Sequence, residues 1–212
     1  MKSIVVLISG SGTNLQSILD SIEEERIEGR VTAVISNQAD AFGLERAKKA
    51  DVPAHVLSHK DFADRESYDK ALMQLIDGYQ PDLVILAGFM RILSEGFVQH
   101  YLGRMLNIHP SLLPKYKGLH THKRAIEAGD KEHGATVHFV TPELDGGPVV
   151  IQSKVPVFAD DNEEELSSRV REQELQLYPL VVKWFCQDRL RMENGQVLLD
   201  DKLVPTEGYA AD

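Results

Sequence analysis

The sequence predicts an α/β chain: a doubly wound, mostly parallel sheet, Rossmann-like in its N-terminal half, with an antiparallel C-terminal addition. Short apolar, β-branched runs at residues 4–8, 31–36 and 82–87 have the composition of parallel strands buried on both faces. Segments of helical period separate them, so each strand returns to the sheet by a crossover. After residue 104 this alternation stops, and prolines, glycines and alternating strands take over.

Each element has its own justification. Residues 4–8 make a first strand that ends at a glycine cluster. Residues 14–25 carry Leu15, Ile18, Leu19 and Ile22 on one helical stripe. Residues 31–36 read as a second strand, 41–50 as a second helix and 53–57 as a third, short strand. Over 61–78, Phe62, Tyr68, Leu72, Leu75 and Ile76 share a side of a longer amphipathic helix, and Pro81 introduces a continuous apolar strand at 82–87. Residues 105–108 make one more strand, after which Pro110, Pro114 and Gly118 keep the chain irregular. A helix is expected over 121–128. Strands are expected over 134–140 and 149–158, open to antiparallel pairing, with 141–148 as the loop between them. Residues 163–185 form a long helix whose acidic first turn complements the helix dipole. Asn194-Gly195, between apolar residues 190–192 and 197–199, signals a tight hairpin. No repeat or linker divides the chain, so one domain over 1–212 is expected.

The bulk properties narrow the function. A chain of 212 residues with 42% hydrophobic and 26% charged residues buries a proper core. A net charge of -10 argues against a nucleic-acid partner, because backbone phosphates are bound by clustered Lys and Arg. A local phosphate site remains open, since backbone N–H groups supply one without basic residues. With a single cysteine, Cys186, neither a disulfide within the chain nor a thiolate metal cluster forms. No apolar run reaches the roughly 18 residues of a membrane span, and residues 4–8 are too short for a signal peptide. Cytoplasmic residence, no membrane partner and a monomer or weak homodimer are the expectations.

Ser9-Gly10-Ser11-Gly12-Thr13-Asn14 joins the first strand to the first helix, at the carboxyl edge where doubly wound sheets bind ligands. Glycine lets the backbone approach an anion, and first-turn N–H groups cradle phosphate, with Thr13 or Asn14 doubling as the helix cap. A plain tight turn is the competing reading. A monophosphate fits better than a dinucleotide: Leu15 stands where the third glycine of the dinucleotide fingerprint belongs, and Asn37 where its acidic residue belongs.

Asn107 and His109 lie two residues apart on one strand, hence on one face and roughly 6–7 Å apart at the backbone. An amide N–H and an imidazolium there make a donor pair for a carbonyl oxygen that gains charge under attack. Asp145, in Leu144-Asp145-Gly146-Gly147-Pro148, supplies a carboxylate that would favour the protonated ring. A metal site from His109, His120 and His122 is the weaker reading, for want of an orienting acidic partner. Ser111 lacks the elbow glycines of a serine nucleophile.

Together, Asn107-Ile108-His109-Pro110-Ser111-Leu112-Leu113-Pro114 and the Asp145 loop resemble the signature of the folate-dependent formyltransferase family. Ile8-Ser9-Gly10-Ser11-Gly12-Thr13-Asn14-Leu15-Gln16, Ala87-Gly88-Phe89-Met90-Arg91-Ile92-Leu93 and Gly208-Tyr209-Ala210-Ala211 are most similar to the branch whose acceptor is glycinamide ribonucleotide. The likeness runs over residues 4–211. It implies an enzyme of purine biosynthesis that takes the formyl group of 10-formyltetrahydrofolate and uses small-molecule substrates and no metal. By the resemblance, Asn107, His109 and Asp145 are catalytic. Gly12, Thr13 and Asn14 hold the ribonucleotide phosphate, and Arg171, Glu172, Gln173 and Glu174 contact the same substrate. Arg65, Met90, Arg91, Ile92, Leu93, Asn107, Thr141, Pro142, Glu143, Leu144 and Asp145 line the folate site. Residues 1–100 are then the phosphate-binding half and 101–212 the catalytic and folate-binding half. Two positions depart from the family pattern: Arg171 stands where Gln is common, and Lys117 replaces a common proline.

A formyltetrahydrofolate hydrolase shares the Asn, His and Asp but carries an N-terminal regulatory domain, for which a first strand at residue 4 leaves no room. A methionyl-tRNA formyltransferase would need a basic tRNA-binding domain. A non-catalytic nucleotide-binding module requires three separated motifs to coincide by chance.

Overall fold

The computed structural model describes residues 1–210; Asp212, and Ala211 of the stretch 208–211 noted above, lie outside the described residues. Two compact units divide the chain, Met1–Asn107 and Ile108–Asp212. The first contains β1 (Lys2–Ile8), α1 (Thr13–Glu23), β2 (Gly29–Ser36), α2 (Gly43–Lys49), β3 (Ala54–Val56), α3 (Arg65–Asp77), β4 (Leu83–Leu86), α4 (Glu95–His100) and most of β5 (Met105–His109). β1 pairs in parallel with β2 and β4, β2 with β3, and β4 with β5. Within this unit the strand order is β3-β2-β1-β4-β5. The order therefore reverses direction at β1 and β4, as a doubly wound sheet requires. Ile4, Val5, Val6, Leu7 and Ile8 are fully buried, which is why β1 reads as an unbroken apolar run. α1 turns Leu15 and Ile18 inward, and α3 buries Tyr68, Leu72 and Ile76.

Two details differ from expectation. The helix expected from residue 61 begins at Arg65, because the Asp64 side chain caps it by accepting the Ser67 N–H at 2.7 Å; His59–Asp61 is a separate 3-10 turn. α4, capped by Ser94 in the same way, was not expected. Its six residues are too few to show a helical period.

The second unit holds α5 (Thr121–Glu127), β6 (Glu132–Phe139), β7 (Val149–Pro156), α6 (Glu163–Cys186), β8 (Leu190–Glu193), β9 (Gln196–Leu199) and β10 (Lys202–Leu203). β6 and β7 are antiparallel, with a register shift between Val137 and His138. Asn162 caps α6, its side chain accepting the Glu165 N–H, and the first turn of the helix is Glu163, Glu164 and Glu165. Its Leu166 and Val170 pack with Ala125, Ala135 and Val155 into one apolar cluster. β8 and β9 form the hairpin that Asn194-Gly195 signals, both turn residues having positive φ (54° and 73°). β10 completes a separate three-stranded antiparallel sheet.

Candidate active site

In the first unit, the loop after β1 and the segment after β4 lie at the point where the strand order reverses. Gly12 takes the left-handed φ of 73° as the residue before α1, and a Cβ there would stand 2.7 Å from the Gly43 Cα. The expected side-chain cap is therefore corrected. Thr13 is the first helical residue and Gly12 the cap, because the turn needs a backbone that only glycine adopts without strain. The first turn of α1 still presents N–H groups that the helix itself does not bond. Asn37 is buried and accepts the Ser9 hydroxyl at 2.5 Å, while the Met90 N–H donates to the Ser9 oxygen at 2.7 Å. The side chain at the acidic position of a dinucleotide site is thus engaged in joining two loops.

The segment 90–93 is held at several points. Besides the Ser9 bond to Met90, the Ser94 N–H donates to Asp69 at 2.6 Å, and the Arg91 guanidinium lies 4.2 Å over the Tyr68 ring. Tyr68 donates to the Leu57 carbonyl, and burial pushes its hydroxyl up to about 12, so it stays a neutral platform for the cation. Pinned backbone leaves Met90 69% and Ile92 59% exposed, which excludes a core role for either; Leu93 is half-buried. Arg65 is exposed on the first turn of α3.

β5 carries Asn107, half-buried, and His109, buried, with side chains on the same side of the strand. In the second unit, His109 Nδ1 is 3.7 Å from Asp145 Oδ2, and the two side chains are only 8% and 9% exposed. His109 Nε2 lies 2.8 Å from the Tyr116 carbonyl oxygen. A carbonyl only accepts, so Nε2 carries the proton and Nδ1 is the nitrogen open to proton exchange. The Gly118 N–H donates to Asp145 Oδ2 at 2.8 Å, aiming the carboxylate. Asp145 itself has φ 51°, a left-handed value that Asp tolerates, and the following glycines are built in. A Cβ on Gly147 would lie 1.8 Å from the Phe139 carbonyl oxygen. Thr141 is half-buried, whereas Pro142, Glu143 and Leu144 are exposed; Glu143 pairs with Lys117 at 3.2 Å on the surface. The Leu113–Pro114 peptide bond is cis.

The remaining residues divide by surroundings. His122 faces His133 at 3.0 Å, and burial lowers the proton affinity of both, His133 to about 4, so the pair is neutral at pH 7. His120 is exposed at the start of α5. On α6, Arg171 and Glu172 are exposed and Glu174 is half-buried, while the Gln173 side-chain oxygen accepts the Ser153 hydroxyl at 2.8 Å. The Tyr116 carbonyl and the Gly118 N–H escaped the sequence reading because backbone groups leave no residue-type signature; only the glycine and proline spacing of residues 110–118 marked that loop as unusual.

The arrangement fits acyl transfer: a buried imidazole with one defined proton, a carboxylate beside it and an amide on the same strand. Comparison with known proteins agrees. The formyl transferase family model matches residues 2–182. The phosphoribosylglycinamide formyltransferase of Escherichia coli is 59% identical over 210 residues, covering 99% of each chain. That of Haemophilus influenzae is 53% identical over 210 residues, again with 99% of each covered. The solved structure of the Coxiella burnetii phosphoribosylglycinamide formyltransferase superposes with a TM-score of 0.94 at 50% identity, over 98% of each chain. With five separated motifs, the fold and full-length relatives in agreement, the chain belongs to the formyl transferase family and is a formyltransferase.

Proposed function

We propose that this enzyme passes the formyl group of 10-formyltetrahydrofolate to the amine of glycinamide ribonucleotide, in the cytoplasm, as a step of de novo purine biosynthesis. The two units act as halves of one formyltransferase domain. The observation that carries the reading is the buried His109–Asp145 pair at 3.7 Å, with the His109 Nε2 proton held by the Tyr116 carbonyl.

The amine nitrogen attacks the formyl carbon, forming a C–N bond and placing negative charge on the formyl oxygen. The Asn107 amide and the His109 imidazolium stabilise that oxygen, and the Asp145 carboxylate balances the ring's positive charge. As the old C–N bond breaks, Nδ1 of the His109 imidazolium gives its proton to the folate nitrogen, and the neutral ring so formed takes up the proton leaving the amine, directly or through a water. Gly12, Thr13 and Asn14 would cradle the phosphate, and Arg171, Glu172, Gln173 and Glu174 would line the ribonucleotide side. Arg65, residues 90–93 and residues 141–145 would line the folate site, their peptide groups matching the donors and acceptors of a pterin edge.

Purified enzyme is expected to release tetrahydrofolate from the formyl donor only when glycinamide ribonucleotide is present, and to form the formylated ribonucleotide in equal amount. Equal release without the amine would assign it to hydrolysis instead.

A further inference from the structure

Nothing in the His109–Asp145 pair by itself explains why the imidazole keeps one orientation. The answer lies in the loop of residues 115–118. Tyr116 has φ 55°, a backbone state that a tyrosine keeps only when its surroundings hold it. They do so from several directions. Its hydroxyl donates to Asp130 Oδ2, on the turn between α5 and β6, and Asp130 is also paired with Lys115 at 3.4 Å. Its ring lies edge-on to His133 (centroids 6.3 Å apart), with the Arg124 guanidinium 5.1 Å over it. It packs against the cluster of Ala125, Ala135, Val155, Leu166 and Val170. Arg124 also donates to the Lys117 carbonyl at 2.7 Å, and buried Ser111 donates to that of Lys115 at 2.6 Å. A side chain anchored in this way delivers its own backbone carbonyl to His109 Nε2 at 2.8 Å.

We propose that Tyr116 and Asp130 are positioning residues that form a clamp on the catalytic imidazole. Asp130 holds the Tyr116 hydroxyl, and Tyr116, through its carbonyl, holds the His109 proton on Nε2 and leaves Nδ1 for the transferred proton. The inference rests on the reaction proposed above, but its structural half is independent of it. Neither residue touches a reacting atom; both act through the ring. The hydrogen bond to Asp130, joined by burial, raises the Tyr116 hydroxyl above its usual 10.0, so it remains a donor at neutral pH. If the clamp opens, the ring is free to flip or change tautomer, and a misplaced proton carrier slows chemistry without weakening substrate binding.

The test uses the full chain and the variants Tyr116→Phe, Asp130→Ala and Asp130→Asn, read by steady-state kinetics and by nitrogen NMR of the histidine rings, with His109→Gln assigning the signal. Wild type is expected to show His109 protonated at Nε2. Tyr116→Phe and Asp130→Ala should show a mixture of tautomers and a kcat lower by about ten- to a hundredfold, with KM for both substrates changed by less than about twofold. Asp130→Asn, which still offers an accepting oxygen, should recover most of both. The clamp is overturned if the ring signals of Tyr116→Phe and Asp130→Ala match wild type, or if kcat falls only in step with thermal unfolding. Should Tyr116→Phe fail to fold, the two Asp130 variants decide the matter. If wild type transfers no formyl group to the ribonucleotide, the proposed reaction fails while the ring signals still judge the clamp.

Discussion

At His109 the chemistry is set by two distances, 2.8 Å from Nε2 to a carbonyl and 3.7 Å from Nδ1 to a carboxylate. The first is a hydrogen bond and assigns the proton; the second is too long for one and leaves Nδ1 available. Removing the ring in His109→Ala, or the charge in Asp145→Asn, is expected to lower kcat on the order of 10²–10³. Asp145→Asn still accepts the Gly118 N–H, so its loop should stay in place. Circular dichroism alongside the turnover assay checks both; near-normal rates in folded variants would remove these residues from the mechanism. The side chains were readable from Asn107, His109 and the Leu-Asp-Gly-Gly-Pro stretch because their types carry the chemistry. The groups that orient them, the Tyr116 carbonyl and the Gly118 N–H, were not, since every residue has a carbonyl and nearly every one an N–H.

Among the elements, the β1–α1 turn depends most on a single residue. Gly12→Ala would place a Cβ 2.7 Å from the Gly43 Cα at a φ of 73°. The left-handed backbone alone costs about 1–2 kcal/mol, and the close contact adds to it by pushing α2 away from the loop. KM for the ribonucleotide is expected to rise while kcat at saturation stays within about threefold, as loss of uniform binding predicts; an unchanged KM would detach this loop from the phosphate. Most elements were legible because a buried parallel strand and a one-sided helix each impose a period on the sequence. α4 and β10 were not, because six and two residues carry no period. The start of α3 was misplaced because a cap at Asp64 outweighs the apolar residue at Phe62.

For the molecule as a whole, the consequential groups are three histidines of the second unit, His133 and His138 buried and His122 half-buried. Burial lowers the proton affinity of His122, His133 and His138 below the usual 6.5, and that of His133 to about 4. An unfolded chain therefore binds protons that the folded one refuses as pH falls below 6.5. Their contribution to stability is complete above the usual 6.5 and drains away below it, that of His133 down to about pH 4. Urea midpoints should fall over that window, and less steeply in His133→Gln; identical slopes would mean that His133 does not titrate on unfolding. No helix among the described residues is long and apolar enough to cross a membrane.

By itself the sequence determined the strand order's class, the antiparallel C-terminal addition and the motifs that mark the family, because periodicity and residue type are local properties. Tertiary structure alone decided that Asn37 bonds Ser9, that Gly12 caps α1, that Met90 and Ile92 stand exposed on a pinned segment, and that a tyrosine carbonyl fixes the proton on His109. Each depends on which groups the folded chain brings into contact or leaves to solvent, and no spacing along the chain encodes that.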